Sequence, residues 1–215
     1  MIYFISDVHA ERDFEGLKRY MEIAGDDDLL IILGDLMLKF DESPEVREFT
    51  EYFLSLDKNI AFIDGNHENY EYVWSHPEEE WCGGRVLRLT DKIVYLKRGE
   101  IYDIEGKSFF SFGGCKSSPK WVAAGLWYPG EEATPEEIAR ARENLMKRGN
   151  KVDYVLTHKY ENGIDGTLSV PLLAMTQYIE ANIDYKAWYY GHWHSDEAVD
   201  EKHILVYKEL TPIKR

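Results

Sequence analysis

Short, almost unbroken apolar runs alternate with stretches of helical periodicity through the first third of the chain. Ile2–Ile5, Leu29–Leu33 and Ile60–Ile63 are four or five residues long and apolar at nearly every position. Such runs fit strands buried on both faces. Phe14–Ile23 and Pro44–Leu56 lie between them and read as amphipathic helices. Ser43 is placed to cap the second, and Pro44 stands at its first position, where a missing N–H costs nothing. Strand and helix in alternation predict a parallel sheet with helices on its faces.

The middle of the chain changes rhythm. Arg85–Thr90, Ile93–Leu96, Ile101–Ile104 and Ser108–Phe112 are short and closely spaced, with Glu105-Gly106 as a hairpin turn. This spacing predicts antiparallel strands and a possible second sheet. Thr134-Pro135-Glu136-Glu137 has the cap, first-position proline and third-position glutamate of a helix start, and that helix should end near Gly149. Tyr154–Thr157, a helix near Leu172–Asn182, Ala187–Tyr190 and Ile204–Tyr207 complete the pattern. No linker or repeat divides residues 1–215, so one layered α/β domain is expected.

Five of the apolar runs end in a polar cluster. They lead in turn to Asp7-Val8-His9, Gly34-Asp35, Gly65-Asn66-His67-Glu68, His158, and Gly191-His192-Trp193-His194. In open α/β sheets, ligands bind beyond the carboxyl ends of the strands, so these clusters can converge. Five of the seven histidines fall in them, leaving only His76 and His203 elsewhere. Each cluster alone has a plain reading: Asp7, His9, Gly34-Asp35 and Gly65-Asn66 as turns, His158 as a hydrogen-bonded core residue. The pair His192-x-His194 puts both imidazoles on one face of an extended segment, which suits a metal ion. The five together point to a metal site.

Charge and cysteine content narrow the partners. A formal net charge of −15 repels a phosphate backbone, so broad nucleic-acid binding is not expected. A cation pocket could still reverse that field locally. The chain opens without a basic segment followed by a long apolar run, so neither a signal peptide nor a membrane anchor is expected. Cys82 and Cys115 lack metal-ligand spacing and read as free thiols, which fits a reducing, cytoplasmic setting.

The ordered set Asp-x-His, Gly-Asp, Gly-Asn-His-Glu, a lone His and Gly-His-x-His, running from Asp7 to His194, resembles the calcineurin-like metallophosphoesterase superfamily. The resemblance implies an α/β fold of two facing mixed sheets flanked by helices, a four-layer α/β/β/α sandwich. It implies that Asp7, His9 and His194 hold one divalent ion, that Asn66, His158 and His192 hold another, and that Asp35 bridges them. Mixed oxygen and imidazole ligands suit Mn, Fe or Zn better than Ca or Mg. Two such ions, about 3.5–4 Å apart, activate water and clamp both oxygens of an in-line displacement at phosphorus. The implied activity is hydrolysis of a phosphomonoester or phosphodiester by a metal-held hydroxide. His67, outside the ligand set, would serve the leaving oxygen as general acid or charge stabiliser.

Departures from the family pattern narrow the resemblance. The protein-phosphatase branch carries Gly-Asp-x-x-Asp-Arg-Gly, where here Leu38 replaces the second aspartate and Lys39 the arginine. The usual carboxylate partner of His67 is therefore missing, and a bidentate fork becomes a point charge. Glu68 matches that branch. The glycine- and aromatic-rich segment Phe112–Pro129, with Trp121, Trp127 and Tyr128, is similar to an insert in small bacterial members. It reads either as a pocket wall with Lys116 on phosphate or as aromatics packing the core or an interface. Arg12 is a further candidate phosphate contact, or a solvated charge. Two other readings remain: a non-catalytic metal-containing binding module, and a metallo-β-lactamase-like hydrolase using His192-x-His194-x-Asp196. The second leaves Asp7, Asp35 and Asn66 unexplained.

Overall fold

The computed structural model describes residues 1–163 and 167–214. Strands β1 (Ile2–Ile5), β2 (Leu29–Leu33) and β3 (Asn59–Ile63) lie side by side in parallel. Helices α1 (Glu15–Ile23) and α2 (Pro44–Leu54) make the crossovers. Ser43 caps α2 as expected, its hydroxyl accepting from Val46 N at 3.4 Å. After a short α3 (Tyr70–Trp74), strands β4 (Glu78–Trp81), β5 (Gly84–Arg88) and β6 (Ile93–Leu96) extend the same sheet. β6 pairs with β3 in parallel, and β5 and β4 follow it antiparallel.

The second sheet contains β7 (Ile101–Ile104), β8 (Lys107–Phe112), β9 (Tyr154–Thr157), β10 (Ala187–Tyr190), β11 (Glu197–Ala198) and β12 (His203–Leu205). Its strand order is β11-β12-β10-β9-β8-β7. Helix α4 (Pro119–Ala123) and helix α5 (Pro135–Lys147) lie between β8 and β9, and α6 (Val170–Asn182) connects β9 to β10. The capping box at Thr134 forms in full, with Glu137 N donating to Thr134 Oγ1 at 3.2 Å and Thr134 N to Glu137 Oε2 at 2.8 Å. A final short strand, β13 (Thr211–Pro212), returns to the first sheet beside β1.

The closely spaced middle strands do not form a sheet of their own. The β5–β6 hairpin joins the first sheet and the β7–β8 hairpin the second, with the chain crossing at residues 97–100. Local spacing determines a hairpin, but the edge it docks on is chosen by tertiary packing. Both β6 and β8 add in parallel to a buried neighbour.

Three apolar layers hold the sandwich together. Between the sheets, Phe4, Ile31, Ile63 and Val94 meet Tyr102, Phe109, Leu156 and Tyr189. Phe4 and Tyr189 stack with ring centres 4.1 Å apart, a pairing worth about 0.5–1.5 kcal/mol beyond its burial. Tyr20, Phe49 and Phe53 from α1 and α2 cover the outer face of the first sheet, over Leu30, Ile32 and Phe62. Leu145, Met175 and Ile179 cover the second, over Phe110, Val155 and Trp188. The fold is thus the four-layer α/β/β/α sandwich. Among the described residues, no helix is long and apolar enough to cross a membrane.

Candidate metal centre

Burial on both faces leaves the central strands one outlet for polar groups: their ends. β1, β2 and β3 of one sheet and β9 and β10 of the other run parallel within their sheets and finish at one edge of the sandwich, where the five polar clusters meet. The backbone there bends sharply. Asp7, His9, Asp35, His192 and His194 all have left-handed φ between 47° and 74°. Each such residue costs about 1–3 kcal/mol, and surrounding bonds must impose it. Here Asp7 N donates to Gly34 O at 3.0 Å, His9 N to Asp35 O at 2.9 Å, and His192 N to Asp7 Oδ2 at 2.8 Å. Gly34 is needed at φ 95°, because a Cβ there would lie 2.4 Å from His158 Nδ1.

One group consists of Asp7, His9 and His194, whose donor atoms lie within 4.8 Å of one another. His9 Nε2 faces His194 Nε2 at 3.1 Å, and His194 Nε2 is 3.3 Å from Asp7 Oδ1. That carboxylate oxygen is buried, yet no hydrogen bond of acceptable geometry reaches it. A buried acceptor without a donor is costly, and a cation would relieve it.

The second group is deeper. His158 is fully buried; its Nδ1 lies 2.7 Å from Leu33 O and donates to it, leaving Nε2 as a lone pair. That Nε2 faces His192 Nδ1 at 3.2 Å and Asp35 Oδ2 at 3.5 Å. Asn66 donates its amide to Ser117 Oγ at 3.3 Å, turning its carbonyl oxygen the other way. Asp35 lies between the groups, 3.6 Å from His9 Nε2 and 3.5 Å from His158 Nε2. All seven residues singled out as ligands are therefore brought together, and the donor set fits divalent cations.

Electrostatics agree with a cation-binding cluster. Burial would raise the Asp35 carboxyl, but His158, then His9 and His67, hold it well below the usual carboxylate range. Burial opposes charge on His158 as well, yet the Asp35 carboxylate beside it raises it well above the usual imidazole range. Burial and neighbouring His158 push His192 down to about 4, a neutral imidazole ready to coordinate. The Asp7 carboxylate, 3.3 Å from its Nε2, raises His194.

A cavity of about 250 Å³ opens onto both groups, lined among others by His67, Lys116, Ser118, Trp121 and Thr167. The His67 ring lies between Phe40 and Trp121, with ring centres 5.8 and 5.5 Å away, and its backbone N–H donates to Asp35 Oδ1 at 2.8 Å. Burial lowers its pKa. Leu38 is buried in the core beneath α2. So the rings of Phe40, Trp121 and His9, the last 5.5 Å away, flank His67, and Leu38 offers it no carboxylate. Glu68 accepts from Leu36 N at 2.9 Å and Met37 N at 3.2 Å, bracing the loop that presents Asp35. Burial and Asp35 push it up to about 8.

The candidate substrate contacts separate. Lys116 lines the cavity, whereas the Arg12 guanidinium lies over the Tyr52 ring at 4.9 Å and Lys39 is exposed, outside that lining. The aromatic insert is a cavity wall: Trp121 lines it, and Tyr128 donates to Phe40 O at 2.6 Å, tying the insert to the loop behind His67. Asp196 accepts from the N–H groups of Tyr207, Lys208 and Glu209, so it organises a turn and stands outside the ligand groups. Cys115 and Ser117 were missed. They sit at a sixth strand end, that of β8, and carry no spacing signal to reveal them.

The protein of unknown function AQ665 from Aquifex aeolicus is a similar solved structure, 18% identical over 79% of this chain and 83% of that one, with a TM-score of 0.41. No curated protein matches. The calcineurin-like phosphoesterase model matches residues 1–196, a span containing every strand end of the cluster, and the chain belongs to that family.

Proposed function

We propose that this chain is a dinuclear-metal phosphoesterase, with Asp7, His9 and His194 at one ion, Asn66, His158 and His192 at the other, and Asp35 shared. The observation that carries the reading is the shared geometry of Asp35, within 3.6 Å of a ligand imidazole from each group. Divalent cations bound there would supply an activated water and neutralise phosphoryl charge. The residues of the chain do the remainder. Lys116 meets the non-bridging phosphate oxygens at the cavity wall. The rings of Phe40 and Trp121 hold His67 toward the cavity, where its ring N–H protonates or stabilises the leaving oxygen. The small cavity and the acidic surface favour a compact phosphate ester over a polymer.

The test compares p-nitrophenyl phosphate with its bis ester, using protein of measured metal content. Metal-dependent turnover of at least one is expected. Two ions per chain with neither ester hydrolysed would sink the enzymatic reading in favour of a binding module. His67→Ala should keep both ions and lose about 10²–10⁴-fold in kcat.

A further inference from the structure

We propose that Cys115 is an additional ligand of the inner cation position, which makes that position sulfur-containing and selective for zinc or iron over manganese. The inference rests on the two-ion reading above.

The argument starts at the end of β8, which runs parallel to β9 and so finishes beside His158. Gly113 and Gly114 take the chain closely over the end of β3. A Cβ on Gly113 would lie 2.6 Å from Asp64 O, and one on Gly114 2.5 Å from Glu131 O. Gly114 N donates to Asp64 O at 2.7 Å, and Asp64 forms a buried ion pair with Arg98. This anchored turn leaves Cys115 fully buried inside the cluster. Its sulfur, His158 and His192 offer donor atoms within 4.8 Å of one another. Sγ lies 3.0 Å from Asn66 Oδ1 and 3.8 Å from His192 Nδ1. Ser117, two residues on, holds the Asn66 amide nitrogen so that its oxygen faces that sulfur. One turn thus delivers the thiol and orients a ligand already assigned to the same ion.

Ligation would release the thiol proton to solvent as the sulfur–metal bond forms. Thiolate is a soft ligand, so it favours zinc, iron or cobalt over manganese and magnesium. The other position, with Asp7, His9 and His194, offers carboxylate and imidazole alone and lacks that preference.

Cobalt(II) is the probe. Protein carrying two cobalt ions per chain should show a near-ultraviolet thiolate-to-cobalt charge-transfer band. Cys115→Ser should still bind two ions and lose the band, with its preference for zinc over manganese reduced by roughly tenfold or more. X-ray absorption of the zinc-loaded wild type should find a sulfur neighbour at about 2.3 Å, a check independent of how the variant folds. Two bound cobalt ions without the band would overturn the sulfur ligand and leave the two-ion reading standing. Failure of the wild type to bind cobalt would overturn both.

Discussion

The two halves of the cluster differ in how they meet the solvent. His9 and His194 keep 29% and 46% of their side-chain surface exposed, while His158 keeps none. In the open half, ring contacts with protein surface place the imidazoles: His194 stacks on Tyr207 at 4.8 Å, and His9 Nδ1 lies 3.2 Å from the Met37 sulfur. The inner half is fixed by hydrogen bonds to Leu33 O and Ser117 Oγ, groups belonging to the core and its nearest loop. The inner position is therefore formed by the fold, as a second layer of bonds orients its ligands. On the proposed two-ion reading, the open position would be accessible to exchange and to substrate, and Asp35 would make one centre of the two unlike halves.

Replacing that carboxylate should have the largest effect, because it removes the comparison. Asp35→Asn keeps the shape and an acceptor for His67 N but deletes the charge that balances His158 and His9. Metal content should fall at both positions, with turnover down by at least the roughly 10²–10³-fold lost with a single preorganised electrostatic group. Unchanged metal content by elemental analysis would mean that the halves bind independently.

Single histidines sharpen the contrast. His158→Ala should lose the inner ion and cost about 1–3 kcal/mol of stability, because a fully buried ring is removed and Leu33 O keeps only Ser6 Oγ as a side-chain donor. His194→Ala should keep the inner ion, bind the outer one more weakly, and change stability by under about 0.5 kcal/mol in denaturant titrations. Equal losses from the two variants would contradict the division into fixed and open halves. A chelator should likewise remove the outer ion first, giving two phases of release where equivalent positions would give one.

The same division explains what could be read in the sequence. Strands β1, β2, β3, β9 and β10 are continuous apolar runs, and continuity is visible without a fold. The candidate ligands that follow them were legible for that reason. Cys115 was not, since β8 reads as half of a hairpin and only its pairing with β9 places its end beside His158. Nor was the partner of His67 legible: Phe40 stands five residues beyond Asp35 and Trp121 lies in a distant insert, joined to the site by packing alone. β4 went unread because Glu78-Glu79-Glu80-Trp81 has little strand propensity and only half-buried alternate positions. The aromatic insert could be read as wall or as packing for the core or an interface, and Trp121 on the cavity lining puts that residue at the wall.

The smallest effect expected concerns that wall. Trp121 touches His67 edge-on and lies outside both ligand groups, so on the proposed reading it would act through His67. If His67 is positioned by aromatic edges, Trp121→Ala should lower kcat by about tenfold, because a loosened ring spends less time aligned. Trp121→Phe should recover most of that loss, since an edge remains. Metal content should not change in either variant, which separates positioning from ligation. A change confined to KM would instead place Trp121 on the substrate, and an unaltered kcat in Trp121→Ala would leave Phe40 and His9 as the rings that orient His67.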